Sequence, residues 1–351
     1  MPRRRLALGA RLVAASLAFL LPRESAAASF PCDRAVSARE RLICGNAALS
    51  QVDARLALSY RAALAAVSEE GRAAFRQSEQ QWLRFIDTVC SIEHPPASDA
   101  QRLLTGADCL RSEYAARQRQ LAGAVTRRGG LVIRRVDLFK AVPAAADQGS
   151  GGAHPGFSLT VIAYPQIDRP RGAEEIRWNQ LMSRWVEDAT NNDGGSSNDS
   201  GHDVIVDYSL GAVTPELISV MRDTYDDWHG AHGSAADRGI TWLIRQGRAL
   251  QPEDLFDPHR RWRAALARQV FDRAQREERR EHRPFGIPPA AELESKVSDP
   301  ARWLLGRRSL RVRVDPRDLG YDNPDVIDVS VPWRALAPYL AHTEIVSSLT
   351  E

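Results

Sequence analysis

Apolar residues recur at three- and four-residue steps between residues 50 and 121, which is typical of amphipathic helices. Before them, Ser37 and Glu40 form a capping-box sequence, which predicts a short helix ending near Cys44 and Gly45. Three longer helices are predicted next, the first opening at Ser50, with a turn near Gly71 and an interruption at residues 94–96. Their apolar positions are Val52, Leu56, Tyr60, Leu64 and Val67; Phe75, Ser78, Trp82, Phe85, Ile86 and Val89; and Leu103, Leu110, Tyr114 and Leu121.

From Thr126 onward, short runs of β-branched and aromatic residues predict strands, separated by turn-forming residues. The predicted strands are 131–139, 157–164, 204–210, 217–222, 239–244, 309–314 and 326–331. Helical spacing predicts helices at 174–188, 252–271 and 333–340, and the charged run 273–283 is interpreted as a solvated helix face. Loops are predicted at 141–156, 191–203 and 315–324. This order predicts an α+β fold, in which a disulfide-linked three-helix module precedes an α+β domain with a mainly antiparallel sheet.

The first 28 residues have the pattern of a secretory signal peptide: Arg3-Arg4-Arg5, an apolar run and Ala26-Ala27-Ala28 before a predicted cut. Removing them takes away five Arg and one Glu, which leaves 42 basic and 44 acidic residues and a net charge of −2. A nearly neutral chain offers no basic field for nucleic acid. We therefore expect a periplasmic or secreted protein without a stable membrane span after cleavage.

All four cysteines, Cys32, Cys44, Cys90 and Cys109, lie in the first third of the chain that remains. An even number in an exported protein predicts two disulfides within one small domain. Three pairings are possible; we favour Cys32 with Cys44 and Cys90 with Cys109, because each joins near neighbours. Zinc is the alternative, but the sequence has no closely spaced cysteine pair to support it.

Acids, aromatics, histidines and glycines are concentrated in residues 225–233, Tyr-Asp-Asp-Trp-His-Gly-Ala-His-Gly. The glycines predict a sharp turn, and Tyr and Trp beside charges are typical of a recognition surface. The alternative is that Tyr225 and Trp228 are core residues at a strand end. The predicted partner-binding residues in this stretch are Asp226, Asp227, Trp228, His229 and His232.

Neither a metal site nor a catalytic site is predicted in this stretch. Side chains three residues apart share a face only on a helix, and the glycines disfavour a helix, so His229 and His232 are not expected to bind one ion. A histidine held by hydrogen bonds inside a turn is the simpler interpretation. Asp226 and Asp227 are adjacent and should diverge, whereas glycoside hydrolysis needs carboxylates facing across a substrate. We expect no enzymatic activity and no cofactor.

The first part of the chain resembles the lysozyme inhibitor LprI family. The residues that carry the resemblance are Cys32, the Ser37–Glu40 turn, Ile43-Cys44, Leu49, Val52-Asp53, Leu56, Tyr60, Trp82, Asp87, Cys90, Cys109, Arg117 and Leu121. The chain departs from the family pattern at Glu79, where Gln is usual, and at Ile86, where Arg is usual. The resemblance implies a compact helical domain, to which we assign residues 29–124.

The second part resembles two other extracytoplasmic modules. Residues 157–167, with Tyr164-Pro165-Gln166, and Asn179 look like the domain beside the deacetylase PdaC. Residues 208–255, with 230–233, and the closing segment with Val331-Pro332-Trp333 look like the extracytoplasmic domain of the anti-sigma factor RsiV. The resemblance implies binding rather than catalysis, and we assign residues 125–351 to this domain.

Both resemblances indicate lysozyme as a protein partner. Animal lysozymes are strongly basic and hold a two-carboxylate cleft, so an inhibitor needs acidic loops and a protruding group. Candidate loops are 191–203, 223–227 and 315–325, the last with Tyr321, Asp322 and Asn323. The alternative is a peptidoglycan-binding envelope module in which Trp228 and Tyr321 stack on sugars.

Overall fold

The computed structural model describes residues 28–90, 92, 106–144, 154, 156–191, 202–229, 233–281, 286–321 and 326–350. The predicted signal peptide therefore lies outside the described residues except for Ala28. Outside them too are the prolines at 95 and 96, Leu103, and parts of the predicted loops 141–156, 191–203 and 315–324. The same holds for three predicted site residues, His232, Asp322 and Asn323.

Four helices form the first part of the described chain, and disulfides hold their ends. The helices are α1 Ala38–Gly45, α2 Ala47–Ala65, α3 Glu69–Val89 and α4 Gly106–Ala122. The favoured cysteine pairing is confirmed, with Cys32 bonded to Cys44 and Cys90 bonded to Cys109. The apolar stripes predicted from the sequence meet in one core that includes Trp82, whose ring packs edge-on against Tyr114 at a centroid distance of 5.0 Å. We call these four helices the helical module.

Two helix starts differ from the sequence prediction because of side-chain capping. Helix α2 begins at Ala47, not Ser50, since the side chain of Asn46 accepts the Leu49 N–H at 3.0 Å. Ser50 is already inside the helix, where its buried hydroxyl donates to the Ile43 carbonyl at 2.6 Å. Gly71 lies in the first turn of α3, which Ser68 caps. A Cβ on Gly71 would lie 2.6 Å from a carboxylate oxygen of Asp168, so the glycine permits close approach to the sheet.

A seven-stranded sheet follows the helical module. Its strands are β1 Val125–Arg128, β2 Leu131–Pro143, β3 Phe157–Ile167, β4 Asp203–Val213, β5 Leu217–Asp227, β6 Ser234–Leu243 and β7 Arg248–Ala249. They lie in sequence order, and all neighbours are antiparallel except β3 and β4, which are parallel. The connection between this parallel pair contains helix α5, Ala173–Asn191. The predicted α+β class and mainly antiparallel sheet are confirmed.

A smaller, three-stranded sheet completes the fold. It is formed by β8 Trp303–Leu305, β9 Ser309–Val314 and β10 Ile327–Pro332, in the order β10-β9-β8. Around it lie α6 Trp262–Glu281, α7 Ala290–Val297, α8 Trp333–Leu336 and α9 Glu344–Thr350. The prediction of one helix over 252–271 was wrong, because Pro252–Asp254 forms only a short 3-10 turn and α6 starts ten residues later. Likewise α8 is one turn, followed by a 3-10 turn at Ala337–Tyr339.

The helical module and the small sheet pack on the same face of the large sheet. Strand register places Phe139 and Leu159 on the face that also carries Leu217 and Leu243. The first two residues belong to the core of the helical module, and the last two to the core around the small sheet. Helix α5 covers the opposite face, where Ile218 lies. The predicted boundary at residues 124 and 125 falls between α4 and β1, although the core of the helical module extends onto the sheet.

Candidate binding surface

The predicted recognition stretch lies at one end of the large sheet, between two long strands. Tyr225 and Asp227 are among the last three residues of β5, and β6 begins at Ser234. The sequence prediction of a strand over 217–222 therefore ended too early. A sharp turn is confirmed at His229, whose φ of +56° is left-handed.

His229 is a buried structural residue of this turn. The Asp227 carboxylate accepts the His229 backbone N–H at 2.8 Å, and the ring Nε2 lies 3.2 Å from Asp203 Oδ1. Asp203 also accepts the Leu159 N–H at 2.9 Å, and the side chains of His229 and Asp203 are 1% and 2% exposed. The turn is thereby tied to the start of β4 and to β3. A histidine held by hydrogen bonds is confirmed, and the burial of Asp227 and His229 assigns them to holding the turn.

Tyr225 and Trp228 are exposed, so the alternative interpretation of both as core residues was wrong. Tyr225 is 39% exposed, and its hydroxyl donates to Asp227 Oδ2 at 3.2 Å. A Cβ on Gly233 would lie 2.5 Å from the Tyr225 ring, which explains a glycine at that position. Trp228 is 60% exposed and stacks on His202 with a centroid distance of 4.1 Å and an interplanar angle of 12°. We call Tyr225, Trp228 and His202 the turn surface.

Two other predicted contact residues, Asp226 and Tyr321, do not join the turn surface. Asp226 lies between Tyr225 and Asp227 on β5, so its side chain faces the α5 side of the sheet. Tyr321 lies in the C-terminal part, where its hydroxyl donates to Glu292 of α7 at 2.7 Å. This hydrogen bond to a carboxylate raises the pKa of Tyr321. Among the described contacts, none joins Tyr321 to Trp228.

A row of four aspartates crosses the sheet beside the turn surface. Asp207, Asp223 and Asp237 are direct register partners on β4, β5 and β6. On the other side, Asp137 of β2 pairs with Ala163 of β3, which follows Ile162, the partner of Val206 in the β3–β4 ladder. We call Asp137, Asp207, Asp223 and Asp237 the aspartate row. Tyr225 follows Asp223 on the same face, so the row and the turn surface are neighbours.

The helical module binds the β2 end of the aspartate row through a buried arginine. Arg117 Nη1 lies 2.7 Å from Asp137 Oδ2, and its Nε lies 3.1 Å from Glu79 Oε2. The guanidinium also sits over the Phe139 ring, and the Arg117 side chain is 0% exposed. Burial alone would raise the pKa of Asp137, but Arg117 and Arg135 hold it below its usual range. Burial raises the pKa of Glu79 despite Arg117.

The small sheet binds the β6 end of the row through Arg313. Its guanidinium lies 2.5 Å from Asp223, 3.0 Å from Asp237 and 3.4 Å from Asp328. Arg311 pairs with Asp328 as well, with its Nε donating at 2.6 Å. Burial raises the pKa of Asp237 to about 6, and a hydrogen bond to Asp223 contributes to the increase. The positive charge of Arg313 acts in the opposite direction and lowers this pKa. Three carboxylates thus share two guanidiniums at this end.

Sequence reasoning did not find the aspartate row. The four residues are separated along the chain, and only strand register aligns them. The sequence signal for these residues is an aspartate among apolar residues within a strand. Such an aspartate predicts a partner, because a polar residue on an otherwise buried face needs one. The structure supplies these partners from elements at both ends of the sequence.

Comparison with known families bears on the helical module. Residues 32–121 match the family described as "Lysozyme inhibitor LprI". The predicted resemblance of this segment is therefore confirmed, and the matched range runs from the first cysteine to the end of α4. No protein among the curated ones matches the chain.

Solved structures of the DUF3298 family are similar to part of the chain. A member from Bacteroides fragilis has a TM-score of 0.40 and 11% identity, covering 64% of this chain and 99% of that one. A protein from Pseudomonas aeruginosa has a TM-score of 0.39 and 13% identity, covering 60% of this chain and 95% of that one. Likeness at this level carries no functional argument. The resemblance of residues 125–351 to the RsiV and PdaC-associated domains stays a prediction.

Metal-binding groups and membrane-spanning helices are both absent from the described residues. Within the described residues, no group of three or more His, Cys, Asp or Glu side chains is arranged to hold a metal ion. His232, which follows His229 by three residues, lies outside them. No helix in the described part of the chain has the length and apolar character needed to cross a membrane.

Proposed function

We propose that this protein is exported and that it binds and inhibits lysozyme without catalysing a reaction. The match of residues 32–121 to a lysozyme-inhibitor family carries the proposal. Two disulfides within this segment fit an oxidising compartment, because thiols stay reduced in the cytosol. The predicted net charge of −2 after signal cleavage also suits a basic partner.

The turn surface is the proposed contact site on the α+β part. Trp228 offers a flat, largely exposed ring that its stack on His202 already orders, so little side-chain freedom is lost on binding. Aromatic residues of this kind dominate the free energy of protein interfaces. Asp207 of the neighbouring row, whose side chain is 53% exposed, places negative charge beside it. Such charge increases the association rate with a basic protein.

The helical module offers a second surface that must be tested separately. Val36 and Leu58 are apolar residues with 79% and 61% exposure, on the loop before α1 and on α2. If the family-matched segment alone contacts lysozyme, substitutions in this module should weaken binding and substitution of Trp228 should not.

The first experiment measures the lytic activity of a c-type lysozyme on a cell-wall suspension in the presence of excess pure protein. We expect activity to be lost, and calorimetry to show a complex. Binding should weaken as salt is raised, because exposed charges are screened beyond about 8–10 Å at physiological ionic strength. Full lysozyme activity, repeated with g- and i-type enzymes, would rule out inhibition.

The second experiment locates the contact with single variants. Trp228→Ala should weaken lysozyme binding about tenfold, as expected for an aromatic residue at an interface. Ile176→Ala is the matched control, since Ile176 is 45% exposed on α5 at the opposite face. If Leu58→Ala weakens binding while Trp228→Ala does not, the contact lies on the helical module and the turn surface is not the site.

A third measurement separates lysozyme from the glycan alternative. The protein is incubated with insoluble peptidoglycan and, in parallel, with lysozyme-coupled resin. Retention on the resin alone supports the proposal. Retention on peptidoglycan alone, lost in Trp228→Ala, would replace it with a glycan-binding function.

A further inference from the structure

Strand β10 is an edge strand with an unpaired side. Within the described chain it is also the longest edge: six residues, against four in β1, two in β7 and three in β8. The edge at β8 is partly used, since the Leu305 N–H donates to the Ser219 hydroxyl of the large sheet at 2.9 Å. A long unpaired edge is a template for a further strand.

The outward-facing backbone groups of β10 follow from its register with β9. The Trp333 N–H donates to the Arg308 carbonyl at 3.2 Å, which fixes the hydrogen-bonded pairs at every second residue. Ile327, Val329 and Val331 therefore bond to β9, whereas the N–H and C=O groups of Asp328 and Ser330 point away from it. Pro332 falls in the outward set, which is where a strand tolerates a residue without an N–H. No bond in the described part of the chain uses these outward groups.

A groove of about 720 Å³ lies between this edge and the C-terminal half of α6. Five consecutive residues, 326–330, form one wall, as expected for an edge rather than a face of the sheet. The residues of α6 that form the opposite wall recur at helical spacing. They are Arg273, Ala274, Arg276, Glu277, Arg280 and Glu281. The charged run that the sequence predicted to be a solvated face is therefore in part a groove wall.

The groove carries guanidinium groups without carboxylate partners. Among the described residues, neither Arg273 nor Arg276 forms an ion pair, and the Arg273 Nε is buried without a hydrogen-bond partner. Burial lowers the pKa of Arg273, and the nearby charges of Arg276 and Arg334 lower it further. An anionic group entering here would relieve this repulsion.

We infer that this groove binds an extended peptide segment with acidic side chains, which adds to β10 as a fourth strand. The backbone of the peptide pairs with Asp328 and Ser330, and its carboxylates meet Arg273 and Arg276. At about 3.3 Å per residue, the length of the wall matches about five peptide residues. In strand addition of this kind, hydrogen bonds to the peptide backbone supply the affinity, and contacts to alternate side chains supply the specificity. The inference does not depend on lysozyme binding.

The test uses the full chain and a fluorescein-labelled peptide that alternates glutamate and valine over five residues. Its lysine-for-glutamate counterpart tests charge. A version methylated at the backbone nitrogens keeps the charge but cannot pair as a strand. We expect saturable binding of the first peptide only. Absence of binding up to about 1 mM would overturn the inference, and equal binding of the methylated peptide would reduce the groove to an anion site.

Matched variants locate the peptide on the groove. Arg276→Glu reverses an exposed groove charge, and Ser330→Pro removes an outward N–H that β9 does not use. Each should weaken binding at least about tenfold. Arg279→Glu, which lies outside the groove on the same helix, and Ser330→Ala should change it by less than about twofold. Equal affinity in all four variants would place the peptide elsewhere. If Ser330→Pro does not fold, Arg276→Glu and the methylated peptide decide the question.

Discussion

Arg117 of the helical module and Arg313 of the small sheet bind opposite ends of one aspartate row, but in different surroundings. The Arg117 side chain is 0% exposed and that of Asp137 is 2% exposed. The Arg313 side chain is 20% exposed, and its partner Asp223 is 33% exposed. The first contact is part of a core, and the second borders solvent.

The two ends also differ in how the charges are shared. Around Arg117 and Arg135 lie three carboxylates, Glu79, Asp137 and Asp207, and Asp137 contacts both guanidiniums. Around Arg313 and Arg311 lie three as well, but Asp237 contacts only Arg313, which Asp223 and Asp328 share. Burial and a hydrogen bond to Asp223 therefore raise the pKa of Asp237 to about 6, whereas the two arginines lower that of Asp137. We therefore expect the contact of the small sheet to depend more on pH than that of the helical module.

The largest expected effect is at the buried end of the row. Arg117→Met removes the cation but leaves Glu79 and Asp137 buried, which typically costs about 3–5 kcal/mol of unfolding free energy. Urea denaturation followed by tryptophan fluorescence measures this loss. Arg111→Met is the control, because Arg111 forms only an exposed pair with Asp108 and should cost less than about 1 kcal/mol.

A double variant separates the buried charge from the packing. Arg117→Met combined with Glu79→Gln removes the buried carboxylate that loses its guanidinium partner, so it should be more stable than Arg117→Met alone. If Arg117→Met loses less than about 1 kcal/mol of unfolding free energy, the buried ion pairs of Arg117 do not stabilise the fold more than those of Arg313, and the contrast is wrong.

The next effect concerns the covalent links, which only the helical module has. Replacing Cys90 and Cys109 by serine opens a loop with a sequence separation of 19. The expected loss is about 3 kcal/mol of unfolding free energy, chiefly because the unfolded chain regains freedom. Denaturant titration of the oxidised protein and the double variant provides the measurement. Equal stability would show that packing in the core of the helical module, rather than the disulfide, fixes the start of α4.

Local patterns were sufficient to predict most of the helical module. The spacing of Trp82 and Phe85 with their neighbours, the Ser37–Glu40 capping box and the cysteine positions all act within a few turns of chain. The α2 start was missed because Asn46 and Ser50 are both competent caps, and only the Ser50 bond to Ile43 excludes the second. Short edge strands such as β1 and β7 carry too few residues to show alternation.

The surface features depend on register, which local patterns do not contain. Sequence composition singled out Tyr225 and Trp228, but their exposure and the burial of His229 follow from Asp203, which lies 26 residues away along the chain. In the same way, Asp137 and Asp237 are a hundred residues apart and become the two ends of one row only through four strand pairings. The groove beside β10 likewise exists only once α6 packs against that strand.

A smaller effect is expected at the solvent-facing end, as a dependence on pH. Asp237 has a pKa of about 6 in the folded protein against 3.8 for the reference carboxyl. Between these values the folded state holds a proton that the unfolded state has released, so this group's contribution to stability is lost as pH rises toward 6. Asp237→Asn removes that loss. Because the site is partly exposed, the gain above pH 6 should be about 1 kcal/mol after screening.

Urea titrations of the protein and of Asp237→Asn at several values between roughly pH 4 and 7 measure the difference. The two proteins should be close in stability at the acidic end and diverge as pH rises. Asp207→Asn, in the same row but bound by Arg135 near solvent, is the control and should show no such divergence. A constant difference at all pH values would contradict the raised pKa of Asp237.

The smallest expected quantity is the coupling between the two arginines. Asp137 and Asp223 are three strands apart, about 14 Å at the usual strand spacing, and Asp207 between them is half-exposed. Unfolding free energies of Arg117→Met, Arg313→Met and the double variant therefore should add to within about 0.5 kcal/mol. A larger coupling would mean that the aspartate row acts as one network, in which the buried end and the pH-sensitive end are a single structural unit. Asp207→Asn would then reduce the coupling, since Asp207 is the row residue that lies between the two ends.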